Sequence, residues 1–154
     1  MATKITGETY LGDALHLPLS QDGQVSAYVW PMRVLKSGCG GPTIGVDVGN
    51  EEVLRWDCHD RPGHWHRGGY DKLGPRGSHA SFPDDVQDID RQVSWAVSQI
   101  MDASAELLTE AGFAAAAEIL DMALIQTATD KIRNHLLNQG DLRAEAVEKN
   151  LITK

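Results

Sequence analysis

Histidines and charged residues concentrate in one short segment, residues 55–71. If residues 64–67 are extended, His64 and His66 point to the same face, because successive side chains of a strand alternate. Two adjacent imidazoles can act as general base and general acid in the cleavage of a phosphodiester, and arginine neutralises phosphate charge. The segment therefore predicts a metal-independent ribonuclease in which Asp57 orients one imidazole.

The predicted site contains the histidine pair and the polar side chains around it. Arg55 and Arg67 are expected to bind the phosphate group, since a guanidinium matches its geometry. The complete set of predicted catalytic residues is His64, His66, Asp57, Arg55, Arg67, Tyr70 and Asp71.

Two other interpretations of the same segment stay open. His64 and His66 could bind zinc or another transition metal together with further nearby residues. The candidate further ligands are Asp57, Cys58, His59 and His79, and the set expected with a metal is His64, His66, His59 and Cys58. Because the Cys39 to Cys58 spacing fits no common zinc signature, the first expectation is no cofactor, with zinc as the alternative. In the third interpretation, the histidines and Asp57 only satisfy backbone groups of a glycine-rich loop.

The composition excludes several classes of protein. The 154 residues suffice for one domain, and 42% of them are apolar, as in ordinary globular chains. The formal net charge of −8 disfavours broad binding to nucleic acid or anionic lipid. Residues 55–76 nevertheless contain five basic and three acidic residues, which allows a local basic site. With two cysteines and neither a signal peptide nor a membrane span in its pattern, the protein is expected in the cytoplasm.

The first half of the chain, residues 1–82, has the pattern of an antiparallel β meander. Two hairpins are indicated by Asp22-Gly23 and Gly49-Asn50, since both pairs favour tight turns between strands. Strands are predicted over residues 15–20, 24–36, 43–48 and 52–57, with a short fifth strand at 8–11. Pro31 predicts a bulge or an edge position in the second of the four main strands.

The second half, residues 83–154, is predicted to be helical. Apolar residues recur at spacings of three and four over residues 86–111, which is typical of a long amphipathic helix. Ser81 or Asp84 is expected to cap its start, and Gly112 to follow its end.

A second long helix is predicted over residues 113–137, because its apolar side chains have the same spacing and Gly140 follows. Asp141 can cap a short final helix. The sequence thus predicts a single α+β domain, in which a meander of four to five strands packs against a pair of long helices and a short final helix.

One motif resembles a known family. Val53-Leu54-Arg55-Trp56-Asp57, followed by His64-Trp65-His66-Arg67 and Tyr70-Asp71, is similar to the central motif of the TumE family of small toxins from prokaryotic toxin-antitoxin modules. Those toxins place a strand ending in Arg-aromatic-Asp, a glycine-containing loop and a His-x-His motif between a β meander and a helix. The resemblance implies an intracellular protein that inhibits growth, acts on RNA and is inhibited by an antitoxin. The residues that it carries over are Arg55, Asp57, His64, His66 and Asp71.

A non-enzymatic interaction module is the main alternative. The helical segment after Gly112 extends beyond what such short toxins contain, and it is expected to bind a second copy of the chain or a partner such as the antitoxin. The histidine-rich loop would then be structural. The acidic net charge favours this alternative, because RNA-binding enzymes are ordinarily less acidic.

Overall fold

The computed structural model describes residues 7–36 and 38–152, which form an antiparallel sheet followed by helices. The strands are β1 (Thr9–Leu11), β2 (Leu15–Pro18), β3 (Val25–Val34), β4 (Gly40–Val48), β5 (Glu51–Asp57), β6 (His64–His66) and β7 (His79–Ser81). The helices are α1 (Tyr70–Ser78), α2 (Ile89–Glu110), α3 (Ala114–Glu118), α4 (Met122–Asn138) and α5 (Leu142–Glu148). The predicted α+β class is confirmed.

Strands β3 to β7 form a meander, and β1 and β2 both pair with β3 at its edge. The strand order of the sheet is β1, β3, β4, β5, β6, β7, and β2 pairs with β3 beside the half that β1 leaves open. All pairings are antiparallel, as predicted, and β6 and β7 extend the sheet beyond the predicted strands. The register of β3 against β4 shifts between Trp30 and Arg33, so the irregularity predicted at Pro31 is present.

One face of the sheet packs against α2 and α4. Trp56 of β5 and Trp65 of β6 stack with ring centroids 5.8 Å apart, and Trp95 of α2 contacts Trp65 edge-on at 5.2 Å. Other members of this core are Ile44, Val46, Leu54, Val97, Ile100, Leu108, Ile125 and Ile132. Because strand side chains alternate, the residues next to the two sheet tryptophans point to the opposite face.

The long helix α2 begins later than predicted. Its N-cap is Asp88, whose Oδ1 accepts a hydrogen bond from the backbone N–H of Arg91 at 2.8 Å. Val86 therefore precedes the helix, although its side chain joins the core. Gly112 follows the helix at φ 90°, where glycine avoids the steric cost of a side chain. No helix in the described ranges is long and apolar enough to cross a membrane.

The predicted helix over residues 113–137 is two helices, α3 and α4, and this expectation was wrong. Leu120 forms a β-bridge with Ser20, and the N–H of Asp121 donates to the carbonyl of Leu19 at 2.9 Å. The carboxylate of Asp121 then accepts hydrogen bonds from two backbone N–H groups in the first turn of α4. Pairing with the end of the first hairpin thus interrupts a segment whose local sequence favours helix.

Asp121→Ala is expected to lower the free energy of unfolding, because loss of the capping carboxylate leaves two first-turn N–H groups without their side-chain acceptor. Asp130→Ala is the matched control, since Asp130 is exposed in the middle of the same helix. Chemical denaturation of both variants measures the difference. Equal stabilities would contradict the capping role.

Candidate functional site

The candidate site lies on the face of the sheet opposite α2 and α4. Two adjacent rows of cross-strand neighbours build it. One row contains Tyr28, Gly45, Arg55, His66 and His79, and the next contains Trp30, Thr43, Asp57, His64 and Ser81. Strand pairing therefore brings the His-x-His motif next to Arg55 and Asp57, as the sequence predicted.

Asp57 is at the centre of the site and is 2% exposed. Its Oδ1 accepts a hydrogen bond from Nη1 of Arg33 at 2.7 Å, and its Oδ2 accepts one from Nε of Arg55 at 3.3 Å. Burial alone would raise the pKa of this carboxyl group, but the neighbouring imidazoles and the two guanidiniums hold the pKa well below its usual range. Asp57 is therefore a buried carboxylate anion.

His64 and His66 both face Asp57. Their Nε2 atoms lie 3.2 and 3.3 Å from the same oxygen, Oδ2, and their ring centroids are 4.9 Å apart. The predicted convergence of the two imidazoles is thus present. Their accessibilities differ, however: the side chain of His64 is 25% exposed and that of His66 only 2%.

The hydrogen bonds of His66 define what can lie between its ring and Asp57. The hydroxyl of Ser78 donates to the carbonyl of Gly74 at 2.6 Å, so its oxygen is free to accept from Nδ1–H of His66 at 3.0 Å. In a neutral ring Nε2 then carries no proton, and this buried atom has no hydrogen-bond partner among the described residues. Either an added proton or a metal ion would complete the contact with Asp57.

A metal ion has three possible ligands here. One ligand atom from each of Asp57, His64 and His66 lies within 4.8 Å of the others. Of the predicted ligand set, Cys58 is not in this group, because its side chain lies in the apolar core on the helix side, where burial raises the pKa of its thiol. The ring of His59 contacts His64 at 5.4 Å but is also outside the group.

Two glutamates neutralise the arginines beside Asp57. Glu8 binds Nε of Arg33 at 2.7 Å, and Glu52 lies 3.4 Å from Nη1 of Arg55. Tyr28 donates a hydrogen bond to Glu52 at 2.7 Å. A Cβ atom at Gly45 would lie 2.4 Å from the Tyr28 hydroxyl oxygen, so only glycine leaves room for this tyrosine. These buried charge pairs fix the positions of both arginines around Asp57.

The segment between β6 and β7, which has four glycines and a proline, folds into α1 with a kink at Gly74, where φ is 74°. Tyr70 at its start places its ring 3.9 Å from the guanidinium of Arg55 and 4.9 Å from the ring of His66. Directly after the end of α1, β7 places His79 against His64, with ring centroids 4.9 Å apart and an angle of 21° between the ring planes. His79, which is exposed, was predicted only as an optional metal ligand.

An open cleft of about 480 Å³ leads to these groups. Its lining includes Asp57, His64, His66, Arg55, Arg76 and His79. We call it the Asp57 cleft. Arg76 and His79 are exposed, and His64 is partly exposed, whereas the other three side chains are buried. A ligand in the Asp57 cleft therefore meets one aspartate-backed imidazole, one exposed imidazole and one exposed guanidinium.

Three predicted site residues do not line the cleft, namely Arg67, Asp71 and Tyr70, which packs behind it on Arg55 and His66. Arg67 follows His66 on β6 and points to the opposite face, where it pairs with Glu110 of α2. The proposed contact of Arg67 with a phosphate at the histidines is therefore wrong. Asp71 accepts a hydrogen bond from the backbone N–H of Glu52 at 2.7 Å, so it anchors α1 to the start of β5.

Acid is expected to destabilise the fold below neutral pH through the buried histidines. Burial lowers the pKa of His59, and the nearby His64 lowers it further. Since the unfolded chain then binds protons that the folded chain does not, the free energy of unfolding falls as the pH drops from about 7 to about 5. His59→Gln should reduce this dependence in chemical denaturation, while His135→Gln on α4 should not. An unchanged slope in His59→Gln would contradict the prediction.

Comparison with known proteins gives a family without an assigned activity. Among curated proteins and solved structures, none matches the chain. Residues 22–136, which include β3 to β7, the whole Asp57 cleft and α2, match the family described as a domain of unknown function, DUF7700. The match covers more than half of the sequence, and the chain therefore belongs to the DUF7700 family.

Proposed function

We propose that the chain cleaves RNA in the Asp57 cleft, with His64 and His79 as the acid-base pair. The observation that carries this proposal is a pair of stacked imidazoles at an open cleft, with ring centroids 4.9 Å apart, one of them backed by a buried carboxylate. This arrangement differs from the pairing predicted from the sequence, because His66 is too deeply buried to contact a substrate.

Asp57 and His66 act behind His64. The carboxylate of Asp57 lies 3.2 Å from Nε2 of His64 and thereby fixes the orientation of the ring, as an aspartate does for a catalytic histidine. His66 contacts both Asp57 and His64 and is itself held by Ser78. We assign both residues a positioning function.

The reaction needs no further reactant. One imidazole takes the proton of the ribose 2′-hydroxyl, the 2′ oxygen attacks phosphorus, and the bond from phosphorus to the 5′ oxygen breaks. The other imidazole, protonated beforehand, gives its proton to the departing 5′ oxygen. The products are a 2′,3′-cyclic phosphate and a 5′-hydroxyl end, and the exposed guanidinium of Arg76 is placed to bind the phosphate oxygens.

The first experiment incubates purified protein with a fluorescent single-stranded RNA and its DNA counterpart, in the presence of EDTA. We expect cleavage of the RNA alone, with cyclic phosphate ends, and no cleavage by the double variant His64→Ala plus His79→Ala. Cleavage of DNA would contradict the proposal, since DNA lacks the nucleophile. Intact RNA with a folded wild-type protein would overturn it.

Metal binding is the second candidate function, and the buried Nε2 atom of His66 without a hydrogen-bond partner favours it. Two histidines and one carboxylate beside an open cleft are typical of catalytic zinc and iron sites. Titration of metal-free protein with Zn²⁺ tests it directly. One tightly bound ion, lost in His66→Ala and retained in His135→Ala, together with RNA cleavage that EDTA abolishes, would replace the metal-independent mechanism.

The resemblance to TumE toxins extends the proposal to a biological function. Cleavage of cellular RNA would stop growth, and an antitoxin or a second copy would bind the helical half, where α4 exposes Met122 and Leu137. Induced expression in bacteria tests this. Growth arrest that disappears in the double histidine variant, with equal protein levels, supports a toxin; normal growth with active enzyme contradicts it.

A further inference from the structure

A groove of about 580 Å³ is lined by the beginning of α2, the end of α4, the beginning of α5 and the irregular part of the β3–β4 pairing. We call it the helix groove. Its large apolar side chains include Met32, Ile89, Val93, Leu136, Leu137 and Leu142. None of its lining residues belongs to the Asp57 cleft, so an occupant of the groove does not compete for the residues of the proposed RNA site.

Leu137 connects this groove to the surface. It lines the helix groove and is nevertheless 79% exposed, more than any other large apolar side chain among the described residues. Its neighbour Leu136 packs against the core, so the exposure is confined to the outer side of α4. An exposed leucine that continues an apolar groove forms one apolar surface with it, and such surfaces are typical of contacts with another protein.

Charged side chains of both signs line the same groove. Arg133, Asp90 and Asp141 are exposed there, and Arg133 has no hydrogen-bond or ion-pair partner in the part of the chain that the structure describes. Arg143 also lines the groove, but its guanidinium is already paired with Asp60. A partner with one sign of charge would be attracted to one part of this lining and repelled by another, whereas a copy of the same surface offers both signs.

The spacing of these charges fits a contact across a two-fold axis. Arg133 precedes Leu137 by four positions, and Asp141 follows Leu137 by four positions, just beyond the end of α4. When two copies of one segment pack antiparallel across a two-fold axis, residues equally far before and after the axis face each other. With the axis at Leu137, Arg133 of each copy therefore faces Asp141 of the other copy.

We infer that the helix groove binds a second copy of this chain across a two-fold axis at Leu137, so that Leu137 of each copy covers the groove of the other. The inference goes beyond RNA cleavage and does not depend on it. Of the two occupants considered for the helical half, an antitoxin or a second copy, the mixed charges favour the second copy. Each copy in the dimer keeps its own Asp57 cleft, because the cleft and the groove have no residue in common.

Sedimentation velocity of the full chain from about 1 to about 200 μM tests for a dimer with a dissociation constant of micromolar order. Leu137→Glu should raise this dissociation constant at least 10-fold, because it places a carboxylate in an apolar contact. Met122→Glu is the matched control, since Met122 is 63% exposed at the other end of the same helix and does not line the groove. It should leave the dissociation constant unchanged.

An exchange of charges tests the position of the axis. Arg133→Glu and Asp141→Arg each bring like charges together in a symmetric dimer, so each variant alone should associate at least 10-fold more weakly. In a one-to-one mixture, opposite charges face each other at both positions, and a mixed dimer should form. Because Asp141 also caps α5, Arg133→Glu is in addition compared with Lys131→Glu, which makes the same charge change on α4 outside the groove and leaves the cap intact.

The outcomes separate this inference from the proposed function. A chain that stays monomeric at the highest concentration would overturn the inference. So would a dimer that Leu137→Glu leaves intact, or one that Met122→Glu weakens equally, because the contact would then lie elsewhere. Equal effects of Arg133→Glu and Lys131→Glu, or a mixture of folded charge variants that forms no mixed dimer, would contradict the axis at Leu137. Leu137→Glu should cleave RNA at the wild-type rate, so a dimer without cleavage would overturn only the proposed function.

Discussion

Replacing His64 with alanine is expected to lower the rate of RNA cleavage by about 10²- to 10⁴-fold, which is the usual contribution of one general acid or base. His64 is the imidazole that both contacts Asp57 and reaches the Asp57 cleft. Its side chain is 25% exposed, so its loss opens no large cavity in the core. The variant should therefore fold and bind RNA while failing in the chemical step.

His79→Ala should lower the rate over the same range, because the second proton transfer needs the second accessible imidazole. His135→Ala, on the surface of α4, should leave the rate unchanged. The measurements are single-turnover rates across pH for the three variants and the wild type.

One combination of results would contradict the assignment of His64 and His79 as the acid-base pair. If His79→Ala cleaves at the wild-type rate while His66→Asn is inactive but folded, the pair predicted from the sequence, His64 and His66, is correct. In that case the deep burial of His66 must be relieved by movement of α1, whose residues Tyr70 and Ser78 cover it. Faster hydrogen exchange in α1 on addition of RNA would then be expected.

The sequence contained enough information for the centre of the site but not for its edges. Period-two alternation predicted that His64 and His66 share a face, and the hairpin signals supplied the strand that brings Asp57 to them. The same alternation places Arg67 on the helix side, so expecting it at the phosphate conflicted with the rule that grouped the histidines. Strict application of the two-residue alternation excludes Arg67 from the predicted phosphate site.

Other site residues depend on pairings that no local pattern reveals. Arg33 reaches Asp57 across β4, and Glu8 joins Arg33 from the position before β1, which pairs with the far half of β3. His79 joins the cleft because α1 returns the chain to β6, and the glycines of that segment favoured a loop over a helix. The break between α3 and α4 has the same origin, since Ser20 pairs with Leu120 from 100 positions away. Tertiary contacts override local preference at each of these places.

Asp57→Asn is expected to lower the free energy of unfolding by about 3–5 kcal/mol, the usual cost of removing one partner from a buried charge network. The carboxylate is 2% exposed, and its oxygens accept from Arg33, Arg55 and the hydroxyl of Thr43. Asparagine keeps the shape but leaves two buried guanidiniums facing a neutral amide, one end of which is itself a donor. Asp60→Asn is the matched control, because Asp60 pairs with Arg143 at the surface and should contribute less than about 1 kcal/mol.

The pH dependence of this difference distinguishes a charge effect from a packing effect. Because the folded protein holds the pKa of Asp57 well below its usual range, the carboxylate stabilises the fold at pH values above about 4, and this contribution is lost as the pH falls below that value. The gap in unfolding free energy between wild type and Asp57→Asn should therefore be widest near neutral pH and should narrow in acid. A gap that stays constant from pH 7 to pH 3 would mean that Asp57 contributes through shape alone. The charge of the carboxylate would then not stabilise Arg33 and Arg55. The position of His64 would have to depend on packing and not on this charge network.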